Sequence, residues 1–275
     1  MDRLSPLLAR FALSAQVFHS GPLCGLSEHF DGDSFGRLHL LRRGRLRVSG
    51  PHIRSYQIDQ PTLLLFPRPC GHRLEGEGPD GAELLCATFD FGGGLGNPLV
   101  RTLPGELLVP LQAIPSLEPV LDLLFDEAFA DHCGRQAAID RLVEYVLILL
   151  MRHAMDANLL RVGILAGLAE PRLAKAINAM HEQPQATWTL ASLAQRAGMS
   201  RARFAVNFRE AVGMTPLDYL TEWRLSLAKG LLKQGKPLGL VAPAVGYTSP
   251  EALSRAFSRY VGQSPRDWRK ELGAP

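Results

Sequence analysis

Two stretches decide the fold: SRARFAVNFREAVGMTPLDYL at residues 200–220 and SPEALSRAFSRYVGQSPRDWR at residues 249–269. Displaced by 49 residues, they are one pattern written twice. Ser200 falls on Ser249, Phe204 on Leu253 and Phe208 on Phe257. Gly213-Met214-Thr215-Pro216 falls on Gly262-Gln263-Ser264-Pro265, and Asp218-Tyr219 on Asp267-Trp268. Each copy reads as a helix-turn-helix. The first has a helix at Leu190–Ala197, a turn at Gly198-Met199, and Ser200 as N-cap of a helix running to about Val212. The second has Leu238–Val245, a turn at Gly246-Tyr247, and Ser249 as N-cap with Pro250 at the first helical position. In each second helix the apolar pair stands four residues apart and faces a core, which frees the opposite face for a ligand.

Between the copies, Pro216 to about Gln234 reads as a 19-residue helix, roughly 28 Å long. One turn of B-DNA advances about 34 Å. A rod of that length suits two recognition helices entering successive major grooves on one DNA face. Charge agrees with this. Residues 161–275 carry 16 Lys/Arg against 8 Asp/Glu, a net of +8, while residues 1–160 carry 14 against 19, a net of −5. The basic back half attracts phosphate. Pro243 falls inside the first helix of the second copy, where it removes a backbone donor and is expected to kink the helix.

Residues 15 to about 112 read as β. Short apolar runs at Leu38–Leu41, Leu46–Val48, Thr62–Phe66, Glu83–Phe89 and Leu107–Leu111 alternate with turn material at Gly50-Pro51, Pro67–Pro69, Gly76–Gly81 and Gly92–Pro98. That pattern predicts a sandwich or barrel. From Ser116 the period becomes helical, with Leu117, Val120, Leu121, Leu124 and Phe125, then a longer helix over about Arg135–Met155 carrying Ile139, Leu142, Val143, Val146, Leu147 and Leu150. This pair either caps the β domain or forms a dimer interface, and periodicity does not choose. A further helix opens at Glu170-Pro171 and closes at Gln183-Pro184. The expected fold class is therefore α+β: a β-sandwich or barrel plus helical pair, then an all-α domain with two helix-turn-helix units. The expected domains are residues 1–115, 116–160 and 161–275.

The longest apolar run, Tyr145–Met151, spans seven residues, where a membrane span needs about 20. The N-terminal residues show no secretory signal order. No membrane partner is expected, and the expected location is the cytoplasm. Cys24, Cys70, Cys86 and Cys133 lie far apart with no C-x-x-C pairing, so no structural disulfide framework is expected.

Residues about 171–272 resemble the DNA-binding domain of the AraC/XylS family of bacterial transcription regulators. The matching text is WTLASLAQRAGMSRARFAVNFREAVGMTPLDYLTEWRL and VGYTSPEALSRAFSRYVGQSPRDWR. The resemblance implies promoter DNA and RNA polymerase as partners, with the exposed face of each second helix presented to bases. In the first copy that face holds Ser200, Arg201, Ala202, Arg203, Ala205, Val206 and Arg209; in the second, Ser249, Glu251, Ser254 and Arg255. Ala202, Ala205 and Val206 can touch thymine methyls but cannot donate to guanine. More hydrogen-bond readout is therefore expected from the second copy, with Arg201, Arg203 and Arg209 gripping phosphates. The bland reading of each arginine is a solvated surface charge.

Residues about 5–112 resemble the cupin-type sensor domain of a subset of these regulators, through LHLLRRGRLRV, PTLLLFPRPCGHRL, AELLCATFDFGG and NPLVRTLPGELLV. The resemblance implies a cupin-like β-barrel for the β domain. That subset includes activators responding to reactive chlorine species through cysteine oxidation, and Cys24 and Cys86 match its reactive positions. Cys24 sits in Gly21-Pro22-Leu23-Cys24-Gly25, a loop-like setting that favours exposure. Its sulfenic acid can condense with Cys86 if the two come within reach. Cys86 alternates within a strand-like run, where a buried core cysteine is the bland alternative. A small organic effector in the barrel is the second reading. A metal-dependent cupin enzyme is the third, with His39, His72 and Cys86 converging on one inner face as a soft site. No nucleophile elbow, phosphate loop or catalytic carboxylate pair stands out, and Gly92-Gly93-Gly94 lacks the Lys of a P-loop. No enzyme activity, catalytic residue, metal or cofactor is expected.

Overall fold

The computed structural model describes residues 2–9, 13–23, 25–29, 35–92, 97, 99–100, 103–157, 159–160 and 162–271. The chain divides into two compact units, residues 12–95 with 103–157 and residues 1–11 with 96–102 and 158–275.

The first unit is a bent antiparallel sheet with two helices. Its strands are β1 (Ser14–Leu23), β2 (Gly25–His29), β3 (Gly36–Gly50), β4 (Ile53–Ile58), β5 (Thr62–Phe66), β6 (His72–Asp90) and β7 (Leu107–Pro110). The order is β1-β6-β3-β5-β7, with β2 also pairing β6 and β4 also pairing β3. β3 and β6 are long because each serves two neighbours in turn. The later half of β6 pairs β1 and its earlier half pairs β2. The first half of β3 pairs β5 and the second pairs β4. Both strands change register at the same place: Gly44 opposes Ala82, whereas Arg45 opposes Glu77. A register break of this kind bends and twists a strand. Gly44 has φ +88°, and a Cβ there would overlap the Gly81 carbonyl, so glycine is required at the bend.

The fold closes over an interior of Leu41, Leu46, Val48, Leu64, Phe66, Leu74, Leu84 and Cys86. The Gly76–Gly81 segment, expected as a turn, is instead strand carrying the register break, because local glycine content does not distinguish a bulge from a chain reversal. The sheet also has strands before Leu38 and one at Ile53–Ile58 that the apolar runs did not mark.

Helices α2 (Glu118–Phe129) and α3 (Arg135–Asp156) follow, after a short α1 (Ser5–Leu8) that belongs to the other unit. α3 lies on β1. Asp140 Oδ1 accepts the Val17 N–H at 2.8 Å, and Gln136 Nε2 donates to the Val17 carbonyl at 3.0 Å. The helix thereby satisfies backbone groups of an edge strand.

The second unit is helical: α4 (Ile164–Ala169), α5 (Pro171–Glu182), α6 (Leu190–Ala197), α7 (Arg201–Val212), α8 (Pro216–Lys233), α9 (Leu238–Ala244), α10 (Pro250–Val261) and α11 (Pro265–Glu271). Its membership departs from the contiguous division read from sequence, in which residues 1–115 form one block. Leu4 and Leu7 are buried, Arg3 donates to the carbonyls of Leu168 and Ala169, and Asn178 Nδ2 donates to the Asp2 carbonyl. Asn97, Leu99 and Val100 are buried as well. A tie of this kind depends on partners some 165 residues away, which no local pattern reports. Among the described residues, no helix is long and apolar enough to cross a membrane.

Candidate functional site

The repeat seen in the sequence is reproduced in the caps. Ser200 Oγ accepts the Arg203 N–H at 3.4 Å, and Ser249 Oγ accepts the Ala252 N–H at 3.2 Å. Thr215 and Ser264 cap the next helix of each copy in the same way, accepting from Asp218 and Asp267 at 3.2 Å each. α7 and α10 both end in left-handed glycines, Gly213 at φ +88° and Gly262 at φ +86°. Each cap satisfies a donor that the first helical turn leaves without a partner. α9 ends one residue before the expected boundary, at Ala244, with Pro243 inside it.

The cores agree too. Phe204 and Phe208 are fully buried and meet edge-on at 5.6 Å, and Phe208 meets Tyr219 of α8 at 5.8 Å. In the second copy Leu253 and Phe257 are fully buried, Phe257 meets Trp268 at 5.7 Å, and Val241, Val245 and Leu225 complete the cluster. The connecting helix α8 has 18 residues, about 27 Å, and packs against both copies. Arg224 of α8 donates to the carbonyls of Pro184 and Ala186 at 2.7 and 2.8 Å. Its guanidinium stands 5.9 Å from the Tyr247 ring, and burial lowers its proton affinity.

With one face of α7 and α10 consumed by core, the other is open. Ser200, Arg201, Ala202, Arg203, Val206 and Arg209 are exposed, and Ala205 is half-buried. Glu251 and Arg255 are exposed, and Ser249 and Ser254 half-buried. The Glu251 carboxyl is held below its ordinary range, first by a hydrogen bond from Ser249 and then by its own N–H at the helix start, with Arg255 one turn on adding to the effect. It is an ionised acceptor one turn from a cation.

In the sheet unit the inward histidines meet. His39 and His72 are buried, with their Nε2 atoms 2.8 Å apart, and the His72 ring stacks on Phe66 at 4.3 Å. His72 Nδ1 lies 2.7 Å from the Cys70 carbonyl. Cys86 stands across from His39 on one side and from His19 on the other. No group of three or more His, Cys, Asp or Glu among the described residues is placed to hold a metal. Beside this row lies a cavity of about 370 Å³, walled by Phe18, His19, Arg37, Leu74, Leu84 and Cys86 among others. The buried His19 Nε2 has no hydrogen-bond partner. Burial pushes the Cys86 thiol up to about 12, against a smaller opposing pull from Arg37. Cys24 lies outside the described residues. Cys70 is half-buried and Cys133 exposed. The roles of His19 and Arg37 are absent from the sequence reading. The only local signal was alternation, which puts Arg37, His39 and Leu41 on one side of β3.

A paired helix-turn-helix unit with a net charge of +8 joined to a bent β sheet defines a DNA-binding regulator with a separate β domain. Residues 2–156 match the family described as Cupin, and residues 193–271 match the helix-turn-helix domain family. The chain is 36% identical to an AraC-like transcription regulator of Streptomyces lividans, covering 100% of this chain and 98% of that one. It is 29% identical to the RCS-specific activator RclR of Escherichia coli K12, over 86% of this chain and 84% of the other. Among solved structures, the DNA-binding domain of AdpA in complex with a target DNA is 33% identical, covering 36% of this chain and 89% of that one, at a TM-score of 0.34. The chain belongs to the AraC-like transcription regulators, with an N-terminal cupin domain and a C-terminal helix-turn-helix DNA-binding domain.

Proposed function

We propose that the chain is a cytoplasmic transcription activator whose cupin domain responds to oxidant through cysteine chemistry. The observation that carries the DNA half of this reading is the pair of N-capped helices with one face in core and the equivalent face open in both copies. Arg255, Ser254 and Glu251 read base edges, while Arg201, Arg203 and Arg209 hold phosphate. RNA polymerase is the partner that an activator requires. A second copy of the chain is accommodated by α2 and α3, which leave Leu123, Phe129 and Tyr145 exposed. Sensing falls to the sheet unit, relay or dimerisation to its helices α2 and α3, and DNA binding to the helical unit.

The redox half rests on Cys24, on its match to reactive positions, and on a relative named as RCS-specific. The Cys24 thiolate takes oxygen from hypochlorite, giving a sulfenic acid and chloride. The Cys86 thiol then displaces water and forms the disulfide. Cys86 is not the first target, since its thiol stays protonated at neutral pH; in the second step its sulfur attacks the sulfenic sulfur and its proton leaves with the hydroxyl as water. Oxidation biases the cupin domain toward the packing that permits productive DNA binding. The test is a promoter–reporter assay with Cys24→Ser, joined to mass spectrometry after brief hypochlorite treatment. Loss of response together with loss of the Cys24–Cys86 bridge is expected; a full response in Cys24→Ser removes the redox reading.

One observation favours a second reading, a small organic effector. The cavity is of ligand size and offers an unpartnered histidine nitrogen between apolar groups such as Leu74 and Leu84 and the polar Ser27 and Arg37. In that case Cys24→Ser responds normally, and His19→Phe does not.

A further inference from the structure

We infer that the first helix-turn-helix unit identifies its half-site by the C5-methyl groups of thymine, with Val206 and Ala202 as the reading side chains. The inference rests on the DNA-reading assignment above and adds what the first unit recognises. Its basis is an asymmetry inside the repeat. Val206 lies two residues from each of the buried Phe204 and Phe208, which sets it about half a turn from the core on either count. It is 55% exposed. Ala202, one turn earlier, is exposed on the same side. At the matching positions the second unit carries Arg255 and Glu251. Second helices capped and buried in the same way therefore present two aliphatic groups in one case and an ion pair's worth of hydrogen-bonding capacity in the other.

The flanks reverse this arrangement. Arg203 and Arg209 stand to either side of Val206, where the second unit has Ala252 and Ser258. In the first unit the cations are at the edges of the open face and the methyls at its centre. In the second the charges are at the centre. Phosphates line the edges of the major groove and base edges its floor. An aliphatic centre on that floor has one apolar complement, because thymine's methyl is the only such group the four base pairs present there. A branched side chain with no hydrogen-bonding atom gains nothing from the guanine or adenine acceptors. It loses affinity wherever it strips water from them.

The experiment selects preferred sites for the full-length protein from randomised duplex DNA. Arg255→Ala locates the second half-site by the positions at which base preference relaxes. Each thymine in the remaining half is then replaced singly by deoxyuridine, which removes the methyl and leaves base pairing intact, and binding is measured by fluorescence anisotropy. Burying one methyl group corresponds to about fourfold in affinity. Binding is expected to weaken about fourfold at each thymine touched by Val206 or Ala202 and to change little at thymines of the second half. In Val206→Ala, the thymine-to-uracil ratio at one position should fall toward one while circular dichroism stays that of the wild type. Equal binding of thymine and uracil throughout the first half overturns the inference and leaves the DNA-reading assignment standing. So does an undiminished ratio in Val206→Ala. Failure to enrich any site overturns both.

Discussion

Replacing Phe257 with Ala tests whether the two helix-turn-helix units have separate cores. The ring is fully buried, edge-on to Trp268 at 5.7 Å, with the Lys229 ammonium 6.0 Å from its centroid and Leu253, Val241 and Val245 around it. A buried aromatic removes about 150–250 Å² from water, which at about 25 cal/mol per Å² corresponds to roughly 4–6 kcal/mol. Alanine retains some of that burial, and large-to-small aromatic substitutions cost about 3–5 kcal/mol. About 4 kcal/mol is therefore expected, against a typical domain stability of about 5–15 kcal/mol. The first copy has its own aromatic cluster at Phe204, Phe208 and Tyr219, so the loss should be local. Hydrogen exchange followed by mass spectrometry reads this directly. Amides in residues 238–271 should exchange up to about a thousandfold faster, while those in residues 190–212 keep their protection. Ser258→Ala, on the exposed side of the same helix, should stay within about 0.5 kcal/mol of the parent. An equal rise in exchange across both copies would refute the argument, because it would mean that the duplicated units share one cooperative core. A cost below about 1 kcal/mol would refute it differently, by showing that Phe257 is not packed as described.

Arg255→Ala should weaken binding to a selected DNA site by about 1–3 kcal/mol in fluorescence anisotropy and relax base preference at one position; equal weakening on unrelated DNA would make Arg255 a phosphate contact instead. Cys133 is exposed and should be alkylated readily by iodoacetamide at pH 8, whereas Cys86 should be alkylated far more slowly in the folded chain than after urea unfolding. The sign for stability follows. Between the ordinary thiol value of 9.0 and about 12, Cys86 ionises in the unfolded chain but not in the folded one, so its contribution is complete below pH 9 and is lost progressively as pH rises through that window in urea titrations. The two turn glycines should differ. Gly198→Ala meets open space and should cost only the left-handed backbone penalty of about 1–2 kcal/mol. Gly246→Ala places its Cβ 2.7 Å from the Pro184 carbonyl and 2.8 Å from Arg224 Nη2, and should cost clearly more.

The sheet was legible as β but not as a particular sheet. Thr62–Phe66 emerges as a strand because a run of five buried residues is too short for a core helix. β1 and β2 escape notice because Ser14–Leu23 and Gly25–His29 mix polar residues and glycines with few apolar ones. Their strand state is imposed by pairing with β6, with partners from His29↔His72 to Ser14↔Asp90, and pairing over such separations leaves no local trace. The helical unit behaves differently. Ser200, Gly213, Ser249 and Gly262 act on backbone within four residues of themselves, so their consequences are written beside them. That is why α6 and α7 fall where the spacing puts them while β6 runs through its supposed turn.

By itself the sequence determined the duplicated helix-turn-helix, its caps, the length of the rod between the copies and the charge of the DNA-seeking half. Periodicity, capping and charge act over one or two helical turns and survive reading in one dimension. Only the tertiary structure decided that His19, Arg37 and Cys86 wall one cavity and that Arg3 and Leu7 belong with the helical unit. Each of these follows from strand register or from docking of distant segments. Such choices are settled by which apolar surfaces can close together without leaving buried polar groups unpaired, a condition on the whole chain rather than on any stretch of it.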